Sequence, residues 1–228
     1  MNIKSKNKII IFSHGFGIQK DNLGLFTFIA EKIEKLGMKS VLFDYYEYNA
    51  ETKEIFSTAF SEQAVKLQNK IDSVSANNPD SEIIIIAQSQ GSIIPTLCDV
   101  KNISKIIGIS PFFMTDRESV HQRYASRAGN SAPDFDGVSK RKHSNGQTTV
   151  IPEKYWQERF NSKQESQYSE LGTKTSLVLI YGSEDGLVES ADLTKVDNCK
   201  LIELPGNHDF TGESRDSLYN EVLKELTQ

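Results

Sequence analysis

The sequence predicts an α/β fold: a minimal six-stranded, mainly parallel sheet with helices on both faces. Three observations carry this expectation. Short continuous apolar runs recur along the 228 residues, the clearest being four consecutive isoleucines at 83–86. Such a run fits a strand buried on both faces, as the strands of a parallel sheet are. Stretches with helical apolar spacing lie between the runs, and strands alternating with helices imply right-handed crossovers. The alternation breaks once, from Pro111 to about Leu171, where the chain is polar and rich in both charge signs. That stretch is expected to be an insertion after the fourth strand, lying over one edge of the sheet. The core is then 1–110 and 171–228, and the insertion 111–170.

The first strand runs from Lys8 through Ile9, Ile10, Ile11 and Phe12 into His14-Gly15-Phe16-Gly17. Leu25, Ile29, Ile33 and Leu36 mark a helix after it, with Asp21 or Asn22 as N-cap and Gly37 where a C-terminal cap belongs. Residues 40–44 form the second strand. Phe60, Ala64, Leu67, Ile71 and Val74 mark the next helix, which Asn77-Asn78-Pro79 stops. The isoleucine strand follows, then Gln88-Ser89-Gln90-Gly91 and a helix to about Val100 with Pro95 inside it. Residues 105–110, 177–181 and 200–204 supply the remaining strands, and Leu218, Val222 and Leu226 mark a closing helix. Inside the insertion, Asn145-Gly146 between two extended arms at 138–151 signals a hairpin. Residues 152–160 read as a short helix.

Composition narrows the function classes. Twenty-six Lys and Arg against 31 Asp and Glu leave a net charge of −5, the wrong sign for a protein whose main task is gripping nucleic acid. No segment approaches the roughly 18 apolar residues of a membrane span. The apolar run after the lysine-rich start is too short for a secretory signal. Cys98 and Cys199 lack the spacing of a zinc site or a redox pair. Two separate reduced thiols and a cytoplasmic location are the expectation.

The chemistry concentrates in the loops that follow strands. In Ala87-Gln88-Ser89-Gln90-Gly91 a serine sits between the isoleucine strand and a helix. A serine on so sharp a turn has its hydroxyl pushed out above the carboxyl end of the sheet. The turn requires small residues two before and two after it, and Ala87 and Gly91 meet that demand. A serine hydroxyl is a weak nucleophile until a base takes its proton. His208, in Pro-Gly-Asn-His-Asp after the last strand, lies at the same edge of the sheet. Asp185, in Gly-Ser-Glu-Asp after the fifth strand, is the candidate to hold the imidazole, with Glu184 its nearest substitute. The order Ser, Asp, His is the one expected on such a sheet. Acyl transfer also needs donors for the developing oxyanion. The Gln90 backbone N–H follows the serine directly, and the Phe16 N–H in the glycine-flanked first loop is the second candidate.

In these four loops, taken in order, the chain resembles the α/β-hydrolase family, and the resemblance covers most of the chain outside the insertion. It implies an α/β-hydrolase fold with Ser89 as nucleophile, Asp185 as acid, His208 as base, and Phe16 and Gln90 as oxyanion donors. It also implies that the insertion after the fourth strand is a cap over the substrate. The layout is similar to small feruloyl or cinnamoyl esterase-like and lipase-like members. Two features depart from the family: there is no room before residue 8 for two N-terminal antiparallel strands, and the loop Tyr-Tyr-Glu-Tyr-Asn after Asp44 lacks the usual glycines. The expected activity is cleavage of a carboxylic ester of a small or medium acyl group through an acyl-enzyme, with no metal or organic cofactor. Thioester or amide cleavage by the same residues, and a non-catalytic ligand-binding module, are the alternatives.

Plainer readings stand beside these. Ser89 also suits a turn before a helix, His208 a hydrogen-bonding loop position, and Asp185 a Glu-Asp-Gly turn. His14, Phe112, Phe113, Met114, Tyr155 and Trp156 are candidates to line the pocket or to pack the insertion on the sheet. Lys140-Arg141-Lys142-His143 could attract an anionic substrate or partner, though a short charge run more often reads as a solvated basic face. A third reading of the chain is a scaffold that docks a partner through that run.

Overall fold

A computed structural model of the chain describes residues 7–113, 116–126, 132–143, 145–188 and 193–228. In chain order the first half holds β1 (Lys8–Ser13), α1 (Leu25–Glu34), β2 (Lys39–Leu42), β3 (Glu47–Asn49), β4 (Glu54–Phe56), α2 (Phe60–Asn77), β5 (Glu82–Gln88) and β6 (Lys105–Ile109). The second half holds α3 (Arg117–Ala125), β7 (Ser139–Lys142), β8 (Thr148–Ile151), α4 (Glu153–Asn161), α5 (Gln164–Lys174), β9 (Ser176–Gly182), β10 (Lys200–Leu204) and α6 (Ser214–Thr227).

Six strands form one sheet in the order β2-β1-β5-β6-β9-β10, parallel at every pairing. The isoleucine runs need no polar alternation because both faces are covered. Ile9, Ile11, Ile83 and Ile85 face Leu67 and Ile71 of α2 and Leu171 of α5. Ile10, Phe12, Ile84 and Ile86 face Leu25, Phe26 and Ile29 of α1 and Leu218 and Val222 of α6. Period-two alternation along each strand therefore feeds two cores with the same residue type. After β1 the chain moves to β2 on one side, and after β5 it moves to β6 on the other. The loops leaving β1 and β5 thus diverge and open a crevice above the carboxyl ends of the strands.

The structure departs from the sequence expectation at several points. The N-cap of α1 is Gly24, with φ of 80°, rather than Asp21 or Asn22. Asn22 is used elsewhere, accepting a hydrogen bond from the Gly15 N–H. Leu36 lies beyond the end of the helix and is 55% exposed. No α-helix follows Ser89; two 3-10 turns, Ser89–Ser92 and Ile94–Leu97, stand there instead. An α-helix through Pro95 needs an N–H that proline lacks, bonded to the Gly91 carbonyl. That carbonyl already accepts from Ser13 Oγ at 2.7 Å.

The insertion is more ordered than its composition suggests. The expected hairpin is β7 paired antiparallel with β8, and the expected short helix is α4. β8 also pairs in parallel with β4, and β4 pairs with β3, so a second, four-stranded sheet joins two stretches distant in sequence. The boundary expected at 170 falls inside α5. Tyr168 and Leu171 of that helix belong to the hydrophobic core beneath the sheet, so α5 serves as the crossover from β6 to β9. Trp156 of α4 packs against Tyr124 of α3 and against Phe135 and Phe160, which ties the insertion together. Among the described residues no helix is long and apolar enough to cross a membrane.

Candidate active site

The turn after β5 is shaped by contacts it cannot avoid. Ala87 is fully buried between Ser13 of β1 and Gly108 of β6. A Cβ on residue 91 would lie well inside contact with the carbonyl oxygens of Ser13 and His14, so only glycine fits. Between them Ser89 adopts φ of 51°, the left-handed region that costs a non-glycine residue roughly 1–2 kcal/mol.

Two loops from the far half of the sheet reach this serine. Ser89 Oγ lies 2.9 Å from His208 Nε2. The other ring nitrogen, Nδ1, lies 2.8 Å and 3.0 Å from the two carboxylate oxygens of Asp185. Asp185 is 1% exposed, and its Oδ1 also accepts from the Leu187 N–H at 3.0 Å. His208 is anchored through its backbone, whose carbonyl accepts from Ser110 Oγ at 2.7 Å and Gln88 Nε2 at 3.3 Å. Glu184 and Asp209 are exposed, and the carboxylate at the imidazole is that of Asp185. A carboxylate at Nδ1 leaves Nε2 free to accept the Ser89 proton.

The loop after β1 closes the opposite side. Gly15 sits against Ser89, its N–H held by Asn22 Oδ1 at 3.1 Å. No described acceptor takes the Phe16 N–H, and Phe16 and Gln90 line the same cavity as Ser89 and His208. The Gln90 side chain points away into a buried network. Its Nε2 donates to Tyr46 Oη at 3.1 Å and Gln63 Oε1 at 3.0 Å, and its Oε1 accepts from Tyr155 Oη at 2.7 Å. The residue after the serine is thereby locked in place by groups from three other segments.

The cavity has a volume of about 200 Å³, below the roughly 300–1,000 Å³ of sites for drug-sized ligands. Phe112 and Phe113 line it, as the sequence suggests. His14, Tyr155 and Trp156 do not, and Met114 lies outside the described residues. His14 is completely buried and structural: its Nδ1–H donates to the Gly15 carbonyl, and its Nε2 accepts from the Tyr45 N–H at 3.0 Å. Burial lowers its pKa to about 4. Tyr155 stands behind the wall, its ring 4.9 Å from that of Phe16. Trp156 packs within the insertion and donates to Ser139 Oγ. Among the described residues no group of three His, Cys, Asp or Glu side chains is placed to hold a metal ion. Cys98 and Cys199 are unpaired, and burial raises the Cys98 thiol to about 12.

No protein-family model and no curated protein sequence matches the chain. Solved structures do. Est1E from Butyrivibrio proteoclasticus superposes with a TM-score of 0.68 at 15% identity, over 100% of this chain and 91% of that one. The esterase domain of a Rhodothermus marinus protein gives 0.62 at 17% identity, over 97% and 87% of the two chains. The peroxisomal α/β-hydrolase Lpx1 from Saccharomyces cerevisiae gives 0.64 at 12% identity, over 98% and 77%. The chain has the α/β-hydrolase fold.

On this α/β-hydrolase fold the sheet supplies the Ser-His-Asp cluster, and the insertion supplies further cavity side chains, of which sequence reading missed Arg123 and Arg159. Arg123 of α3, Arg141 of β7 and Arg159 of α4 line the cavity, together with His143. The basic run at 140–143 is divided by strand geometry. Lys140 and Lys142 point outward, Lys140 to Glu54 at 2.8 Å, whereas Arg141 and His143 turn inward. Burial and then Arg141 lower the His143 pKa to about 4. A signal for two of the arginines was present. Arg123 shares a helical face with Val120, three residues away, and Arg159 with Tyr155, four away, each pair placing an arginine beside a buried residue.

Proposed function

We propose that the protein is a serine hydrolase that cleaves carboxylic esters of small or medium acyl groups. The observation that carries this reading is the unbroken chain of contacts from Ser89 Oγ to His208 to Asp185, with the serine held at φ of 51° above the strand ends. In the first half-reaction Ser89 Oγ attacks the ester carbonyl while His208 Nε2 takes its proton. Asp185 stabilises the imidazolium that forms. The Phe16 and Gln90 N–H groups receive the developing oxyanion. The tetrahedral adduct collapses as His208 returns the proton to the leaving alcohol, giving an acyl-Ser89 ester. Water, deprotonated by His208, then attacks that ester and releases the acid. The aromatic insertion over the cavity serves as the cap, formed by 111–163 together with the strands at 47–56.

The small cavity supports a short acyl group, and the esterase neighbours support the bond type. The test is labelling with a fluorophosphonate probe. Labelling that requires Ser89 and collapses in His208→Ala establishes the activated nucleophile, because the serine then has no base to take its proton. A folded protein that resists the probe overturns the reading and leaves ligand binding as the function of the cavity.

A further inference from the structure

Three arginines line the cavity that Ser89 also lines, and they come from three separate elements of the insertion: α3, β7 and α4. The protein as a whole is negative, at −5, so this local excess of positive charge opposes the overall balance. Two exposed lysines of the insertion are paired, Lys140 with Glu54 and Lys154 with Glu62 and Glu158. Arg123 and Arg141 have no such carboxylate within ion-pair distance among the described residues. Among the described residues the one carboxylate that lines the cavity is Asp209, which is exposed.

Aromatic faces lie against two of the guanidiniums. Arg141 lies 5.7 Å from the ring centres of both Phe16 and Tyr124, and its buried Nε has no hydrogen-bond partner. Arg159 lies 4.6 Å from the centre of the Phe112 ring and donates to Tyr155 Oη at 3.0 Å. Stacking on a ring orients the planar fork without consuming its charge. Arg123 feels the consequence: burial, then Arg141 and Arg159, press its pKa down. Gathering three like charges into a small, partly apolar cavity costs folding free energy. A bound oxyanion offsets that cost, and a guanidinium fork matches carboxylate and phosphate in both geometry and charge.

Building on the hydrolase reading, we propose that the cavity is an anion-selecting subsite. The ester it takes is small and carries a separate carboxylate or phosphate group, which Arg123, Arg141 and Arg159 hold while Ser89 attacks the carbonyl. The core thus supplies the reaction and the insertion supplies the choice of substrate.

The test compares two esters with the same leaving group and similar chain length, mono-p-nitrophenyl glutarate and neutral p-nitrophenyl valerate. The wild-type enzyme is expected to favour the glutarate ester in kcat/KM by about tenfold or more, the scale of one charge-assisted contact. That ratio falls towards one in Arg123→Gln and Arg141→Gln. Because both esters use the same Ser89, general damage to the machinery cancels in the ratio. Equal rates on the two esters in wild type, or a preference that survives both substitutions, overturns the proposal. Calorimetry on Ser89→Ala with glutarate and with inorganic phosphate reads the subsite without catalysis. Binding of either, lost when Arg123→Gln is added, supports the subsite and says which oxyanion it takes; binding of neither sinks it. Should fluorophosphonate labelling fail while glutarate still binds, the hydrolase reading falls and the subsite stands.

Discussion

Ser13 and Gly91 lock the base of the turn that carries Ser89. Ser13 Oγ donates to the Gly91 carbonyl at 2.7 Å and also meets Tyr45 Oη at 2.6 Å, while the Ser13 backbone carbonyl occupies the space where a Cβ on residue 91 would stand. The first strand thus grips the turn after the third strand of the main sheet, and neither can shift alone. Gly91→Ala is therefore expected to destabilise the fold by about 3 kcal/mol or more, because the clash is with backbone rather than a movable side chain. Chemical denaturation measures it, and a loss below about 1 kcal/mol refutes so rigid a turn.

The strain at Ser89 separates two substitutions that share a chemical defect. Ser89→Ala and Ser89→Gly both lack the proposed nucleophile, and both are expected to lose hydrolysis by on the order of a thousandfold or more. Their stabilities differ. Glycine accepts φ of 51° without strain, so Ser89→Gly is expected to exceed Ser89→Ala by about 1 kcal/mol. Equal unfolding midpoints at equal slope contradict a strained turn.

Asp185→Asn keeps the shape of the side chain and alters what it asks of His208. The carboxylate accepts at both oxygens, from the imidazole and from the Leu187 N–H. An amide presents a donor on one side and favours the tautomer whose Nε2 carries hydrogen and cannot take the serine proton. A drop in kcat on the order of 10³–10⁴ is expected. Steady-state kinetics with a p-nitrophenyl ester measures it, and a loss under tenfold assigns Asp185 to turn structure alone.

Acid sensitivity follows from His14. Its pKa is about 4 in the fold against an ordinary 6.5, so the unfolded chain binds the extra proton first. Stability is then complete above about pH 6.5 and is lost as the pH falls from there towards 4. The loss approaches about 3 kcal/mol for this one buried group. His143, lowered in the same direction but less buried, adds a smaller share over the same window. Denaturation midpoints measured between pH 7 and 4.5 should fall, and His14→Gln should flatten that slope. An unchanged slope in the variant places the acid sensitivity elsewhere.

The isoleucine strands, the glycines beside Phe16 and the small residues around Ser89 were legible in the sequence because each reflects a local demand. A strand covered on both faces needs no polar residue, and a turn that presses on neighbouring backbone tolerates no side chain. Ser89, Asp185 and His208 each stand just after an apolar run, so a parallel sheet sends all three to one edge. That much follows from order along the chain, and the structure places the three within hydrogen-bond distance.

What the chain order does not carry was decided by tertiary contacts. β3 and β4 are three residues each, and β4 pairs with β8, more than ninety positions away (Ile55 beside Thr149), so no local pattern announces them. The 3-10 turns after Ser89 reflect Pro95 together with a carbonyl that Ser13 had already claimed. His14 and Trp156 look like pocket residues by type, and packing buries them behind it. The convergence of Arg123, Arg141 and Arg159 is the clearest case. Arg123 and Arg159 stand singly in polar stretches and Arg141 within a short basic run, and only the docking of α3, β7 and α4 brings the three to the cavity that Ser89 lines. Sequence by itself determined the sheet and the edge where chemistry can occur, since periodicity and turn sterics are short-range. The folded insertion determined what that edge faces, since convergence of distant side chains is a property of packing.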